Sequence, residues 1–566
     1  MRAENEAGPP VISAALLVPP VPAAEALRCS APCRSIVARL PAVLLGACAL
    51  LAACGSSSGS PATPPAGCVS GSAIVICTQS GQIQGAVEGN YRAFRGIPFA
   101  APPLGVLRWR PPAAPATWPG VRSATAFGSR CPQTDYHGGV QGDEDCLTLN
   151  VFAVNPPPSS PQAVMVFFHG GGWKVGSAQD APFDLIPPLV DRGVIVVTAE
   201  YRLGLLGFFA DPLLTAEGNG SSGNYGLMDS IAALQWVHDN IAEFGGDPTH
   251  VMMFGQSSGS QSVQTLLASP AAQGLYASAA MESGASASGW SGRTLADAYP
   301  LYANFAPSVH CETAADVLAC LRALPADTVV LTQDLPGKFS YFFTSIEPRV
   351  LPEDPFDRLQ RLGSPVPLLI GSNSDEDAAD EDPSQALDPN GYAALLDAQF
   401  GASAGAQILA LYPASFDSTP RYTHIDVHTD YDYTWETRNL ARAASGAQRP
   451  PVWRYLFTHR YETDPFLNGL RAFHTAELNF VAGNFQSVYY TALPYSPAPD
   501  EITLSDDIIG YWTRFAATGD PNGAGAPSWL RYDATNESIM QLDIPVMPLP
   551  GPGYRNPQCD FLSTLP

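Results

Sequence analysis

Four separated groups of residues could carry out chemistry together. Gly255-Gln-Ser257-Ser-Gly259 places a serine between glycines, directly after the apolar run 251–254 and before a helical pattern of Val263, Leu266 and Leu267. A nucleophilic serine on a sharp strand-to-helix turn needs small neighbours, because its backbone is strained and closely approached. Gly55-Ser-Ser57-Ser-Gly59 fits the same pentapeptide with neither flank, so Ser257 is the candidate nucleophile and Ser57 is not. His169-Gly-Gly-Gly-Trp173 follows the run 163–168. Glycines at a strand end let backbone N–H groups converge on a developing oxyanion, and Gly171 and Gly172 would act with the N–H of Ser258.

The order serine, acid, histidine that such an elbow requires narrows the remaining partners. Asp375, Glu376 and Asp377 follow the run 367–370, and any of the three could orient an imidazole; Asp380, Glu381 and Asp382 read as a solvated acidic run. The later histidines are His424, His428, His459 and His474. His459 ends a strand and reads as structural, whereas His474 lies in a loop suited to a positioned base. His424 and His428, at i and i+4, read as structural, and no spacing in the sequence reads as a zinc site.

The elements that must position these groups alternate. Short continuous apolar runs at 163–168, 194–199, 251–254, 367–370 and 452–457 suit strands buried on both faces of a mostly parallel sheet. Leu227, Ile231, Leu234, Val237, Ile241 and Phe244 form a helical face ended by Gly245-Gly246 and Pro248. Strand, helix, strand in repetition is an α/β domain with right-handed crossovers.

Lys and Arg number 29 against 53 Asp and Glu, a net charge of −24 that excludes a phosphate-neutralising nucleic-acid binder. Residues 40–53 form an apolar run, too short to span a bilayer, with the proportions of a signal-peptide core. Leu51-Ala-Ala-Cys54 resembles a lipoprotein box, which would make Cys54 a lipidated N-terminus followed by a Gly/Ser/Pro tether. The expected organisation is a leader over 1–54, a tether over 55–68 and one domain over 69–566. The stretch before the apolar run is long for a leader, which suggests a translation start downstream of Met1. Cys131 with Cys146 and Cys311 with Cys320 are spaced for disulfides of an oxidising compartment; Cys68 with Cys77 could close a hairpin, leaving Cys559.

Taken together, these residues resemble the type-B carboxylesterases, the α/β-hydrolase family of carboxylesterases, cholinesterases and some lipases. The landmarks are Phe94-Arg-Gly-Ile-Pro-Phe-Ala-Ala-Pro-Pro103, Glu144-Asp-Cys-Leu-Thr-Leu-Asn150, Asn224-Tyr-Gly-Leu-Met-Asp229, Phe244-Gly-Gly-Asp-Pro248, the Ser257 elbow and Phe515-Ala-Ala-Thr-Gly-Asp-Pro-Asn522. The resemblance implies an α/β-hydrolase fold, Glu376 as the acid in Gly371-Ser-Asn-Ser-Asp-Glu376, and His474 as the base in His474-Thr-Ala-Glu-Leu478. It also implies the two disulfides Cys131–Cys146 and Cys311–Cys320. Ester hydrolysis through an acyl-enzyme, with no metal or cofactor and a small-molecule ester as partner, is the expected activity. Activity should fall as pH drops through an imidazole pKa of about 6 to 7.

Two departures bear on specificity. Gln256 stands where the family usually has Glu, and the short loop between Cys131 and Cys146 contains Tyr136 but no Trp. Both weaken a choline-ester reading, and so short a loop makes a poor lid for a lipase. A specialised hydrolase of aromatic, carbamate or polyester-like substrates is the alternative, with Trp173, Trp290, Phe342 and Phe343 as candidate pocket walls, although each reads first as an ordinary core aromatic. A non-catalytic adhesion or binding member of the fold is disfavoured by the intact set of three residues.

Overall fold

The computed structural model describes residues 68–565 except 69, 136, 181, 185, 288–291, 336–340, 447, 489–492, 550 and 552. The leader, the tether, Cys54 and Trp290 therefore lie outside the described residues, as does Tyr136.

The short, largely apolar sequence runs become strands in the middle of an eleven-stranded sheet. Its strands are β1 (Ala86–Glu88), β2 (Tyr91–Pro98), β3 (Thr148–Val154), β4 (Gln162–Phe168), β5 (Val194–Ala199), β6 (Gly246–Gln256), β7 (Ser278–Glu282), β8 (Leu368–Asn373), β9 (Val452–Phe457), β10 (Ile539–Leu542) and β11 (Met547–Pro548). In space the order is β11-β10-β9-β8-β7-β6-β4-β5-β3-β2-β1. From β5 across to β10 every neighbouring pair is parallel, while β1, β2, β3 and β11 join antiparallel at the two ends.

Two apolar layers explain the continuous runs. In β6, Val251 and Met253 face one core while Met252 and Phe254 face the other; in β4, Val164, Val166 and Phe168 oppose Met165 and Phe167. A strand with water on neither side has no polar face to display.

The helices used below are α1 (Tyr225–Asn240), α2 (Ser258–Ala268), α3 (Pro389–Phe400), α4 (Pro420–Thr429), α5 (Ala476–Ala482) and α6 (Pro499–Thr518). Helix α1 buries Leu227, Leu234 and Val237 and passes into a 3₁₀ turn, Ile241–Phe244, that ends where Gly245 takes φ +95°. The predicted disulfides form, Cys131–Cys146 with Cα atoms 5.0 Å apart and Cys311–Cys320 at 5.7 Å. Cys68–Cys77 forms too, and Cys559 is a buried free thiol. Such crosslinks suit an exported protein. Among the described residues no helix is long and apolar enough to cross a membrane.

Candidate active site

Ser257 stands at the carboxyl end of β6, where a parallel sheet opens its crevice. Its backbone adopts φ +56° and ψ −127°, a region unfavourable to any residue with a side chain, and α2 begins at the next residue. Two contacts hold that strain in place: Ser257 N–H donates to Glu282 O at 2.9 Å, and Ser257 O accepts from Gln261 N at 3.0 Å. The elbow packs so tightly on β4 that a Cβ on Gly259 would lie 2.1 Å from Phe168 O. The glycine requirement read from the sequence is thus steric, set by the neighbouring strand.

The glycine loop lies against this elbow. Gly171 has φ +103°, and a Cβ there would stand 2.3 Å from Val175 O. Trp173 fastens loop to helix, its backbone N–H donating to Ser258 Oγ at 3.0 Å and its indole N–H to Ser262 Oγ at 2.8 Å. Among the described residues, the N–H groups of Gly171, Gly172 and Ser258 donate to no backbone carbonyl. The positive end of the α2 dipole adds to the same spot. His169, by contrast, is sealed in: its ring stacks on Tyr201, its Nδ1 meets Gly170 O at 2.9 Å, and burial pushes its pKa down to about 4.

The structure distinguishes the three carboxylate candidates. Asp375 is engaged by Arg471 at 3.1 Å and by Ser374. Asp377 is tied to α4 through its backbone N–H, which donates to Thr429 Oγ1 at 3.4 Å, and its buried Oδ2 has no hydrogen-bond partner among the described residues. Glu376, fully buried, accepts from His474 Nδ1 with Oε2 at 2.7 Å and from Asn373 N–H with Oε1 at 2.7 Å. His474 N–H donates back to Glu376 O at 3.0 Å, and Asn373 Nδ2 donates to Phe473 O at 2.8 Å. Asn373, which the sequence reading passed over as part of a motif, therefore locks the acid's strand to the loop bearing the histidine. The acidic run beyond is not simply solvated, since Glu381 is ion-paired to Arg421 at 2.8 Å.

Burial, the largest influence on His474, opposes the charged ring. The Glu376 hydrogen bond and the charges of Glu376, Glu477 and Asp380 outweigh it and raise the pKa from 6.5 to about 9. This corrects the 6 to 7 expected of an imidazole without such neighbours. With its Nδ1 proton given to Glu376, the ring presents a lone pair at Nε2, and Gln256 Nε2 lies there at 3.2 Å. Gln256 is thus in contact with the histidine, beyond the missing charge that the sequence showed. Tyr433, also unforeseen, sits with its ring 5.2 Å from that of His474.

His459 is structural, held between Glu501 at 3.2 Å and Asp543 at 3.0 Å. Trp173, Phe342 and Phe343 are buried core aromatics. The Cys131–Cys146 loop folds as a small hairpin, Gln133–Thr134 against Val140–Gln141. Its Gln133 side chain exchanges two 2.8 Å hydrogen bonds with Gly176, bracing the glycine loop.

A family model described as the carboxylesterase family matches residues 72–562. The chain is 34% identical over 494 residues to the para-nitrobenzyl esterase of Bacillus subtilis (strain 168), covering 83% of this chain and 94% of that one. It is 34% identical over 498 residues to the fumonisin B1 esterase of Sphingopyxis macrogoltabida, covering 85% and 88%. A solved structure of a PNB esterase superposes with a TM-score of 0.71 at 32% identity, over 84% of this chain and 97% of the other.

Proposed function

The chain belongs to the carboxylesterase family and is a serine hydrolase of carboxylic esters; on that premise we propose that Ser257 is its nucleophile, His474 its general base and Glu376 the acid that orients the base. The observation that carries this assignment is the buried 2.7 Å bond between Glu376 Oε2 and His474 Nδ1, which turns Nε2 toward the residue beside Ser257. Ser257 Oγ attacks the ester carbonyl as His474 Nε2 takes its proton, and Glu376 stabilises the resulting imidazolium. The N–H groups of Gly171, Gly172 and Ser258 receive the oxyanion, supported by their lack of backbone acceptors. His474 then protonates the leaving alcohol, activates water and releases the acid from the acyl-enzyme.

Replacing Ser257 with Ala should abolish hydrolysis of chromogenic esters while leaving the thermal midpoint near that of the parent. A serine-directed phosphonate should label the parent at Ser257, as mapped by mass spectrometry. Turnover near the parent level in Ser257→Ala, or an adduct on another residue, contradicts the assignment.

Neutral esters are the proposed substrates. The residue beside the nucleophile is Gln256 rather than a carboxylate, and the Cys131–Cys146 hairpin is braced against the site instead of free to act as a lid. We read residues 69–566 as one hydrolase domain, attached to the cell envelope through a lipid on Cys54. The Leu-Ala-Ala-Cys54 tetrad and the following tether support this reading. Recovery of the expressed protein with an unmodified residue at its mature N-terminus would exclude it.

A further inference from the structure

Behind the turn that carries Glu376, helix α4 places His424 and His428 one helical turn apart on one face. Glu381 and Gln399, from the end of α3, close over them. We propose that His424, His428, Gln399 and Glu381 form a binding site for a borderline divalent metal ion of the zinc class, outside the triad.

The spacing of the donor atoms is the first support. Nε2 of His424 and Nε2 of His428 each lie 3.1 Å from the same atom, Gln399 Oε1, and Glu381 Oε1 is 4.0 Å from His428 Nε2. Suitable atoms of Glu381, His424 and His428 all fall within 4.8 Å of one another. Four ligands about 2.1 Å from one ion are separated by about 3.4 Å, so these separations suit the corners of one coordination sphere.

Proton bookkeeping is the second. His424 is 2% exposed, and a neutral imidazole has one ring proton to give. Yet Nε2 faces Gln399 Oε1 at 3.1 Å while Nδ1 stands 2.6 Å from Glu381 Oε1. One proton cannot serve both oxygens. An ion at the centre removes the conflict: Nε2 presents its lone pair to the metal and the proton stays on the Glu381 side, an arrangement common behind liganding histidines.

Electrostatics and access are compatible with a cation. Asp377, Asp380 and Asp432 surround α4, and Asp432 Oδ2 lies 3.9 Å from His428 Nδ1. The opposing charge is Arg421, which is engaged by the other oxygen of Glu381. The side chains of His428 and Glu381 are each one-fifth exposed, giving an ion a way in. Imidazoles with a carboxylate and an amide oxygen suit zinc better than magnesium or calcium. Binding would tie the Glu376 turn to α4, which leads through Asp430–Thr434 to the Tyr433 ring beside His474.

The test is calorimetric titration of ZnCl₂ into the tag-free, chelator-treated mature protein at pH 8, with cobalt absorption to report tetrahedral geometry. One ion per chain, a raised thermal midpoint and a tetrahedral cobalt spectrum are expected, with affinity about ten- to a hundredfold weaker in His428→Asn and in Glu381→Gln. Ser257→Ala should bind as the parent does. Failure to bind one equivalent more tightly than about 0.1 mM, or equal affinity in parent and both folded variants, overturns the proposal.

Discussion

Replacing Glu376 with Gln removes one charge and, because of Asn373, does more than that. The pKa of His474 stands about 2.5 above its ordinary 6.5. At about 1.4 kcal/mol per unit, that is an advantage of about 3 kcal/mol for the imidazolium, most of it owed to Glu376. Losing it alone should lower the plateau value of kcat by about a hundredfold. A second effect comes from the Glu376 Oε1 position, which accepts the Asn373 backbone N–H and so must hold the amide oxygen. The NH₂ then faces His474 Nδ1, donates to it, and drives the ring proton onto Nε2, where the base needs its lone pair. Breaking that arrangement costs a further hydrogen bond of about 1 to 2 kcal/mol. Glu376→Gln should therefore fall about 10³-fold or more at its plateau and be at least as damaging as Glu376→Ala, which leaves the tautomer free. The assay is kcat/KM for a neutral chromogenic ester from pH 5 to 10, with folding checked by circular dichroism. In the parent the acid limb should lie well above pH 6.5, because the base must lose its proton to work, and in Glu376→Gln it should shift downward by about two units. A limb that stays in place, or a plateau within tenfold of the parent, would refute the roles given to Glu376 and His474.

Two further outcomes follow from the same structure. Removing the Cys131–Cys146 crosslink by a double Ser substitution should cost about 3 kcal/mol for its 15-residue loop. It should also lower kcat, because the Gln133 brace on Gly176 is released; chemical denaturation and ester turnover would measure the two effects, and unchanged turnover would show that the brace is idle. His169 is neutral in the folded state down to about pH 4 but takes a proton near 6.5 when unfolded. Its contribution is thus fully present above pH 6.5 and lost as pH falls toward 4, by up to about 3 kcal/mol. A folded His169→Gln variant should show a shallower decline of thermal midpoint between pH 6.5 and 4; an identical slope would contradict this account.

The parallel centre of the sheet was legible because a strand covered on both faces is apolar at nearly every residue, Thr198 and Arg454 being buried exceptions. The runs at 194–199 and 452–457 coincide with β5 and β9. The antiparallel end was not: β2 carries a bulge between Phe94 and Ile97, with Gly96 at φ +66°, which breaks any simple period. Strand β7 reads Ser-Ala-Ala-Met-Glu, with good helix formers at several positions, and is a strand because β6 and β8 flank it. The same limit applies at the site. Ser257 and its glycines advertise themselves locally, but the choice of Glu376 over Asp375 and Asp377 depends on strand register, and chemistry alone left all three open. Contacts made across the fold, such as Gln256 with His474 or Gln399 with the histidine pair, have no signature in the order of residues.

The Gln256 amide stands 3.2 Å from His474 Nε2, the atom proposed to receive the serine proton. When the ring is neutral, a hydrogen bond of about 1 kcal/mol net leaves that lone pair free roughly one-sixth of the time. On the roles proposed for Ser257 and His474, the neutral ring is then fully available to the serine only once a bound ester displaces the amide. A hydrolase exposed to water and to indiscriminate acylating agents gains from such restraint, because reactivity is withheld from molecules that do not fill the site.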